Sequence, residues 1–232
     1  MSTTSSRNSA RRSHTRRGWA LGLWIALCAL LILGGFYGQS QGPAESDILY
    51  DAGLAVSGVV GYGLLLLVTL AIGRLYRRPL DALGFRRFRL RWVWIGFGVV
   101  LLTLIVGALL EPLLHGGREQ GITAGSWEPE HATAFALNCV VLVVLGPFAE
   151  EVFFRGLGVR ALGVFGALAA ILVSGIAFGL AHGIFGALPP LALFGIALAW
   201  VRFRSASVWP SYIAHASYNG LALLILVISW TV

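Results

Sequence analysis

The chain contains no lysine. All 17 of its basic residues are arginine, and with ten acids the formal net charge is +7. Charge of either sign is scarce: only 12% of the 232 residues are charged, while 57% are hydrophobic. A soluble domain of this length has no use for so much apolar surface, so the solvent is read as lipid. Cysteine is nearly absent too. Cys28 and Cys139 both sit inside apolar runs, which excludes a disulfide framework. The apolar runs lack apolar/polar alternation, which excludes a membrane β-barrel. No H-E-x-x-H occurs, which removes the soluble zinc-protease signature. No internal repeat is visible, which counts against a secondary transporter relaying protons.

Long hydrophobic runs are what the chain has instead. A bilayer core needs about 20 apolar residues per helix. The runs fall near 19–38, 52–73, 92–110, 133–152 or beyond, 167–185, 188–201 and 209–230. Backbone groups in lipid must be satisfied within the segment, so these are helices. The fold class is all-α: a polytopic membrane helix bundle of about seven helices, eight if one run is split. Residues 1–18 are expected to be a basic, disordered tail. Residues 19–130 hold the first membrane helices, with an arginine-rich linker at 74–91. Residues 131–232 hold the helices that carry the chemistry. The first run is long for a signal peptide and no small-residue cleavage site follows, so it is read as a span.

The arginines lie between the runs, which is the distribution of cytoplasmic loops and not of a nucleic-acid surface. Arg7, Arg11, Arg12, Arg16 and Arg17 precede the first run, seven arginines fill 74–91, and Arg202 and Arg204 precede the last run. The alternate loops hold acids and one arginine, Arg118. The N-terminus is therefore expected in the cytoplasm. Trp19, Trp92, Trp127, Trp209 and Trp230 fall near run ends, where interfacial anchors belong. Phe85, Phe88 and Trp92 allow an interfacial helix in the linker. His14, His115 and His131 lie in or beside polar segments and are read as solvated.

Within the last four runs the strongly polar residues are few: Glu150, Glu151, Arg155, His182, His215 and Asn219. Ionisable groups at membrane depth cost several kcal/mol and mark functional sites by default. Their spacing is helical. Glu151 and Arg155, Phe178 and His182, and His215 and Asn219 are each four apart and share a face. If residues 133–185 form a hairpin turning near residue 166, Glu150 and His182 each lie ~24 Å from the turn. Counted from residue 207, His215 lies ~12 Å in and Asn219 ~18 Å in, so His215 looks too shallow. A carboxylate in apolar surroundings can serve as a general base, and an asparagine amide can donate to an oxyanion. Two histidines and a carboxylate can hold a divalent ion or polarise water directly. The set describes amide hydrolysis by an activated water. Ser174 and Ser217 are read as helix-packing hydroxyls.

The segments "EEVFFRG", "FGLAH" and "HASYN" resemble, in order, the E-E-x-x-x-R, F-x-x-x-H and H-x-x-x-N motifs of the CAAX protease and bacteriocin-processing family, also called Abi or type II CAAX prenyl endopeptidases. The resemblance covers residues about 130–230. It implies an intramembrane endopeptidase of glutamate or metallo type. On that pattern Glu150 is the base, Glu151 assists it or pairs with Arg155, His182 and His215 hold the water or a metal, and Asn219 stabilises the oxyanion. If a metal is used, zinc suits Glu150, His182 and His215. The implied partners are the lipid bilayer and a peptide or membrane-protein substrate, prenylated in the eukaryotic members. The short, arginine-only chain reads as bacterial and as a protein of the inner membrane, where peptide processing and bacteriocin immunity are open roles. The competing reading is a non-catalytic membrane scaffold that keeps the fold.

Overall fold

The computed structural model describes residues 3–42, 48–114 and 127–229, and it is helical throughout. The helices are α1 (Thr3–Ser40), α2 (Ala52–Gly73), the short α3 (Pro79–Leu83), α4 (Arg91–Leu114), α5 (Pro129–Phe165), α6 (Ala167–Ala181), α7 (Leu188–Ser205) and α8 (Trp209–Ser229). Each of the seven expected runs forms a helix. Five segments are long and apolar enough to cross a membrane: Thr15–Ser40, Ala52–Gly73, Arg91–Leu114, Pro129–Phe165 and Trp209–Ile228. The other two are shorter. α6 has 15 residues and α7 has 18, about 22 and 27 Å against a hydrocarbon core of about 30 Å.

Lipid explains the surface. Leu30, Leu33, Leu67, Leu101, Leu109 and Leu224 are all exposed, on four different helices. Apolar surface of that extent on a water-soluble monomer would be anomalous. The protein is an integral membrane protein. Its packed centre is α5, whose stretch from Glu151 to Gly158 is buried without a break. α1, α2, α6, α7 and α8 all pack on that stretch.

The turn after α5 falls where the depth argument put it. Gly166 has φ +96 and opens α6, a backbone geometry that glycine adopts without steric cost. α6 and α7 then form a tight antiparallel pair. A Cβ on Gly195 would collide with the Gly175 carbonyl, and one on Gly179 would meet the Ala192 backbone at 2.9 Å. Small residues at such a crossing let backbones touch, which is how helices gain packing energy in lipid. Pro189 and Pro190 stand in the first turn of α7, where a missing N–H costs nothing.

Several expectations change. α1 begins at Thr3, so most of the tail expected to be irregular continues the first span as helix. The linker 74–91 forms only the five-residue α3, then runs without helix from Phe85 to Arg89. It cannot coil there because its backbone is held elsewhere. The Val208 amide donates to Gly84 O at 2.9 Å and Ser207 Oγ donates to Arg86 O at 2.8 Å. Trp92 is not an anchor: it is buried edge-on against Trp200 at 5.8 Å, and Trp94 faces outward in its place. Trp19 and Trp127 are exposed as expected, and His131 is exposed and bonded to Glu128. Trp230, His115, Arg118 and the side chains of Arg7, Arg11, Arg12 and His14 lie outside the described residues.

Candidate active site

α5 is continuous but not regular. It is α-helical over Ala132–Val140, π-helical over Val141–Leu145, α-helical over Gly146–Glu150, and π-helical again over Glu151–Gly158. Proline starts this. Pro147 has no N–H, and its ring would clash with the carbonyl four residues back in a regular helix. The chain relaxes by widening the turn, and the Gly146 amide donates to Val141 O, five residues back. Single π turns of this kind occur often at functional sites.

The widened turn leaves a carbonyl without a backbone donor. Leu142 O would accept from residue 146 in an α-helix or from residue 147 in a π-helix. Gly146 is engaged with Val141, and Pro147 has nothing to donate. Asn219 on α8 supplies the missing donor, its Nδ2 reaching Leu142 O at 2.8 Å. In the second π segment Ser174 Oγ of α6 donates to Phe154 O at 2.8 Å. That carbonyl already accepts from the Val159 amide, so Ser174 reinforces it, whereas Asn219 supplies a donor that lipid could not.

The acids lie where the second π segment begins. Glu151 and Arg155 are both fully buried and form an ion pair, Arg155 Nη1 to Glu151 Oε1, of 2.8 Å. Arg155 Nη2 donates to Gly195 O at 3.1 Å, and the guanidinium stacks 4.1 Å over the Phe178 ring. His215 Nδ1 stands 3.1 Å from Glu151 Oε1. With Glu151 ionised beside Arg155, that nitrogen carries the proton and donates. The other edge of the same ring faces Glu150: His215 Nε2 is 3.8 Å from Glu150 Oε2. That separation is too long for a direct hydrogen bond and suits a bridging molecule. The Glu150 side chain is 15% exposed, so unlike Glu151 it reaches open space. Tyr62 of α2 lies against its carboxylate, and Ser211 of α8 lies against that of Glu151.

His182 ends α6. Its Nδ1 donates to Phe178 O at 2.8 Å, which leaves Nε2 facing away from the backbone. Phe178 joins the pieces, packing edge-on with both His182 (4.7 Å) and His215 (5.3 Å). So Glu150, Glu151, Arg155 and His215 form one connected cluster, and His182 joins it through the shared Phe178 ring. Asn219 is one turn above His215, with its amide turned to the α5 backbone and not into the cluster. Among the described residues no three His, Cys, Asp or Glu side chains stand together as metal ligands. The donor set Glu150, His182 and His215 is therefore not assembled around a common point, and zinc does not fit the residues as placed.

His215 meets the acids despite its apparent shallowness. A π segment winds more residues into each turn, so eight π residues between Glu151 and Gly158 shorten the path from the turn to the acids. Residues that the motifs did not flag also contribute: Tyr62, Ser211, Gly195 and Pro147. Tyr62 had a signal, being a polar handle within the apolar run of α2. Gly195 had none, because it contributes only a carbonyl.

Neither a curated protein nor a solved structure matches the chain. One family model does match, over the segment that builds the cluster from α5 to α8. Residues 132–221 match the model of the Rce1-like family, described as type II CAAX prenyl endopeptidase Rce1-like.

Proposed function

We propose that the protein is an intramembrane endopeptidase that hydrolyses a peptide bond of a membrane-associated substrate with a water activated by Glu150. One observation carries this reading. Glu150 Oε2 and His215 Nε2 face each other across 3.8 Å at the edge of the buried cluster, a gap that a water can bridge. Glu151 and Arg155 serve that gap from behind. The 3.1 Å contact from His215 Nδ1 to Glu151 fixes the imidazole tautomer, so that Nε2 presents a lone pair. Arg155 keeps Glu151 ionised and in place.

The steps follow from these positions and use no metal. A water donates one O–H to Glu150 and the other to His215 Nε2. Its oxygen attacks the scissile carbonyl carbon as Glu150 takes the proton. The C–O bond forms, and the carbonyl electron pair moves onto oxygen. Glu150 then delivers that proton to the departing amine as the C–N bond breaks. The developing oxyanion needs a donor. His182 can supply Nε2–H when protonated, because its Nδ1 is already committed to Phe178 O. The second N–H of Asn219 is a further donor. Its first role is positioning, since it ties α8 and thus His215 to α5.

We take the orientation read from the arginines as part of this proposal, and with it the site lies nearer the cytoplasmic end of α5. Glu150 lies at most about 22 Å along α5 from Phe165, and about 32 Å from Pro129. Arg16, Arg77, Arg160 and Arg202 all gather at the Phe165 end. The substrate would thus be a peptide segment at the inner leaflet, with lipidation as one way to bring it there.

The test compares cells expressing the parent chain with cells expressing Glu150→Gln, by mass spectrometry of membrane-protein termini. Termini that depend on Glu150 are expected, with their yield falling ~100-fold or more in the variant. An unchanged set of termini at equal protein level would refute the protease reading and favour a non-catalytic scaffold.

A further inference from the structure

The end of the bundle opposite Pro129 holds a second site. α1, the 74–91 linker, the end of α5 and the end of α7 converge there around an open cavity of about 1160 Å³. Arg16, Arg17, Arg77, Arg86, Arg160 and Arg202 line it. One acid lines it, Asp81, and that acid is already shared between Arg78 at 3.8 Å and Arg86 at 3.7 Å.

Topology explains why arginines are at this end. It does not explain how two of the groups are placed. Arg202 is 7% exposed, and its Nε has no hydrogen-bond partner among the described residues. Its guanidinium is pressed against Gly84, where a side chain would collide with it. Tyr76 is 9% exposed, and its hydroxyl also has no partner among the described residues. Both line the same cavity. A buried donor without an acceptor is costly, and a buried guanidinium without an anion more so. Two such donors facing one arginine-lined space call for an anionic acceptor. Arg160 stands 5.4 Å over the Tyr76 ring and adds a third donor beside them. Burial raises the Tyr76 phenol above its ordinary value, against the opposing pull of Arg160 and Arg17, so it remains a protonated donor.

We propose that this cavity binds the phosphate of an anionic phospholipid headgroup, held by Arg202, Arg160 and the Tyr76 hydroxyl. Phosphate offers several acceptor oxygens and pairs with guanidinium groups bidentately. Basic recesses at the cytoplasmic ends of membrane helices are suited to such headgroups. The rim favours a lipid over a free anion, because Val164 and Phe203 line the cavity and are 59% and 42% exposed. They offer apolar contact to the glycerol and upper acyl chain. The site is separate from the Glu150 cluster, and its occupancy does not depend on catalysis.

The test titrates the full detergent-purified chain with phosphatidylglycerol, phosphatidylcholine or inorganic phosphate, and reads bound lipid by native mass spectrometry and the thermal midpoint. Phosphatidylglycerol should bind and raise the midpoint, and phosphatidylcholine should not. Tyr76→Phe and Arg160→Gln should each weaken phosphatidylglycerol binding about tenfold, as loss of one charge-assisted hydrogen bond does. Arg202→Gln also alters packing on Gly84, so Tyr76→Phe, which removes one oxygen, carries the test. Arg89→Gln makes the same charge change as Arg160→Gln on an exposed residue outside the cavity and should leave binding unchanged. Equal binding by the parent, Tyr76→Phe and Arg160→Gln would overturn the proposal, as would an equal loss in Arg89→Gln. If inorganic phosphate alone raises the midpoint, and both cavity variants abolish that rise, the phosphate site stands with a soluble occupant.

Discussion

The adjacent acids should respond to the same substitution to different degrees. Glu151→Gln keeps the shape and an acceptor oxygen for Arg155 and His215 but removes the charge. The pair it breaks is 2.8 Å long with both side chains fully buried. What remains is a guanidinium in the centre of the bundle without its paired charge, held by neutral oxygens and aromatic faces, with Glu150 as a more distant acid. Breaking a buried pair from one side costs about 3 kcal/mol or more. For a chain of this size about 1 kcal/mol moves the midpoint by roughly 2–4 °C, so Glu151→Gln should melt about 6–12 °C below the parent. Glu150→Gln differs. Its side chain is partly exposed, with Tyr62 against the carboxylate and His215 at 3.8 Å, and no buried cation is paired with it. That loss should stay within about 1 kcal/mol, or roughly 2–4 °C. The assay is thermal unfolding of the detergent-purified chain followed by intrinsic tryptophan fluorescence. A third variant identifies the cause. Glu151→Gln with Arg155→Met removes both charges and should recover part of the lost midpoint, because the stranded guanidinium is gone. The reasoning fails if Glu151→Gln melts with the parent, if Glu150→Gln is the more damaging change, or if the double variant melts below Glu151→Gln.

Two further outcomes follow from the backbone of α5 and the packing beside it. Asn219→Ala should destabilise by about 1–3 kcal/mol by leaving Leu142 O without a donor; in a Pro147→Ala background, where residue 147 regains its N–H, the same change should cost markedly less, and equal costs in both backgrounds would dismiss the backbone role of Asn219. Gly195→Ala should lower the midpoint by several degrees, because its Cβ meets the Gly175 carbonyl and pushes α7 from α6, whereas Gly98→Ala, with nothing within 4 Å, should not; a neutral Gly195→Ala in the same unfolding assay would remove the close-packing argument.

Much of this architecture was legible because lipid is a strict solvent. Each expected apolar run became a helix, and the turn near residue 166 could be placed from two polar residues and the helical rise. The Glu151–Arg155 pair was readable from its four-residue spacing. Other features were hidden, for definable reasons. The π turns depend on one missing N–H at Pro147 and on where its strain is relieved, and no periodicity encodes that. Depth measured by residue count therefore misplaced the acids relative to His215. The spacing of Asn219 from His215 was visible, but its bond to Leu142 O was not, because a backbone carbonyl of another helix leaves no mark in the sequence. The linker looked able to form an interfacial helix because Phe85, Phe88 and Trp92 suit one. Its actual state is set by Ser207 and Val208, about 120 residues later in the chain.

The irregularity of α5 has a consequence for the acids themselves. On a regular α-helix, consecutive side chains diverge by about 100°. Glu150 and Glu151 would then point toward different neighbours. Here both reach the same imidazole, one at Nε2 and the other at Nδ1. A π turn beginning at Glu151 carries more residues per turn and so rotates each less, which narrows the angle between the two carboxylates. The geometry that lets one acid anchor His215 while its neighbour faces the open edge is thus a product of the distorted backbone. In lipid that distortion needs Asn219, which supplies the donor that Leu142 O lacks, while Ser174 adds a second hydrogen bond to Phe154 O, which already accepts from the Val159 amide. The polar residues around this site therefore divide between two tasks. Glu150, Glu151, Arg155 and His215 arrange charge, and Asn219 and Ser174 hold the helix in the shape that makes the arrangement reachable.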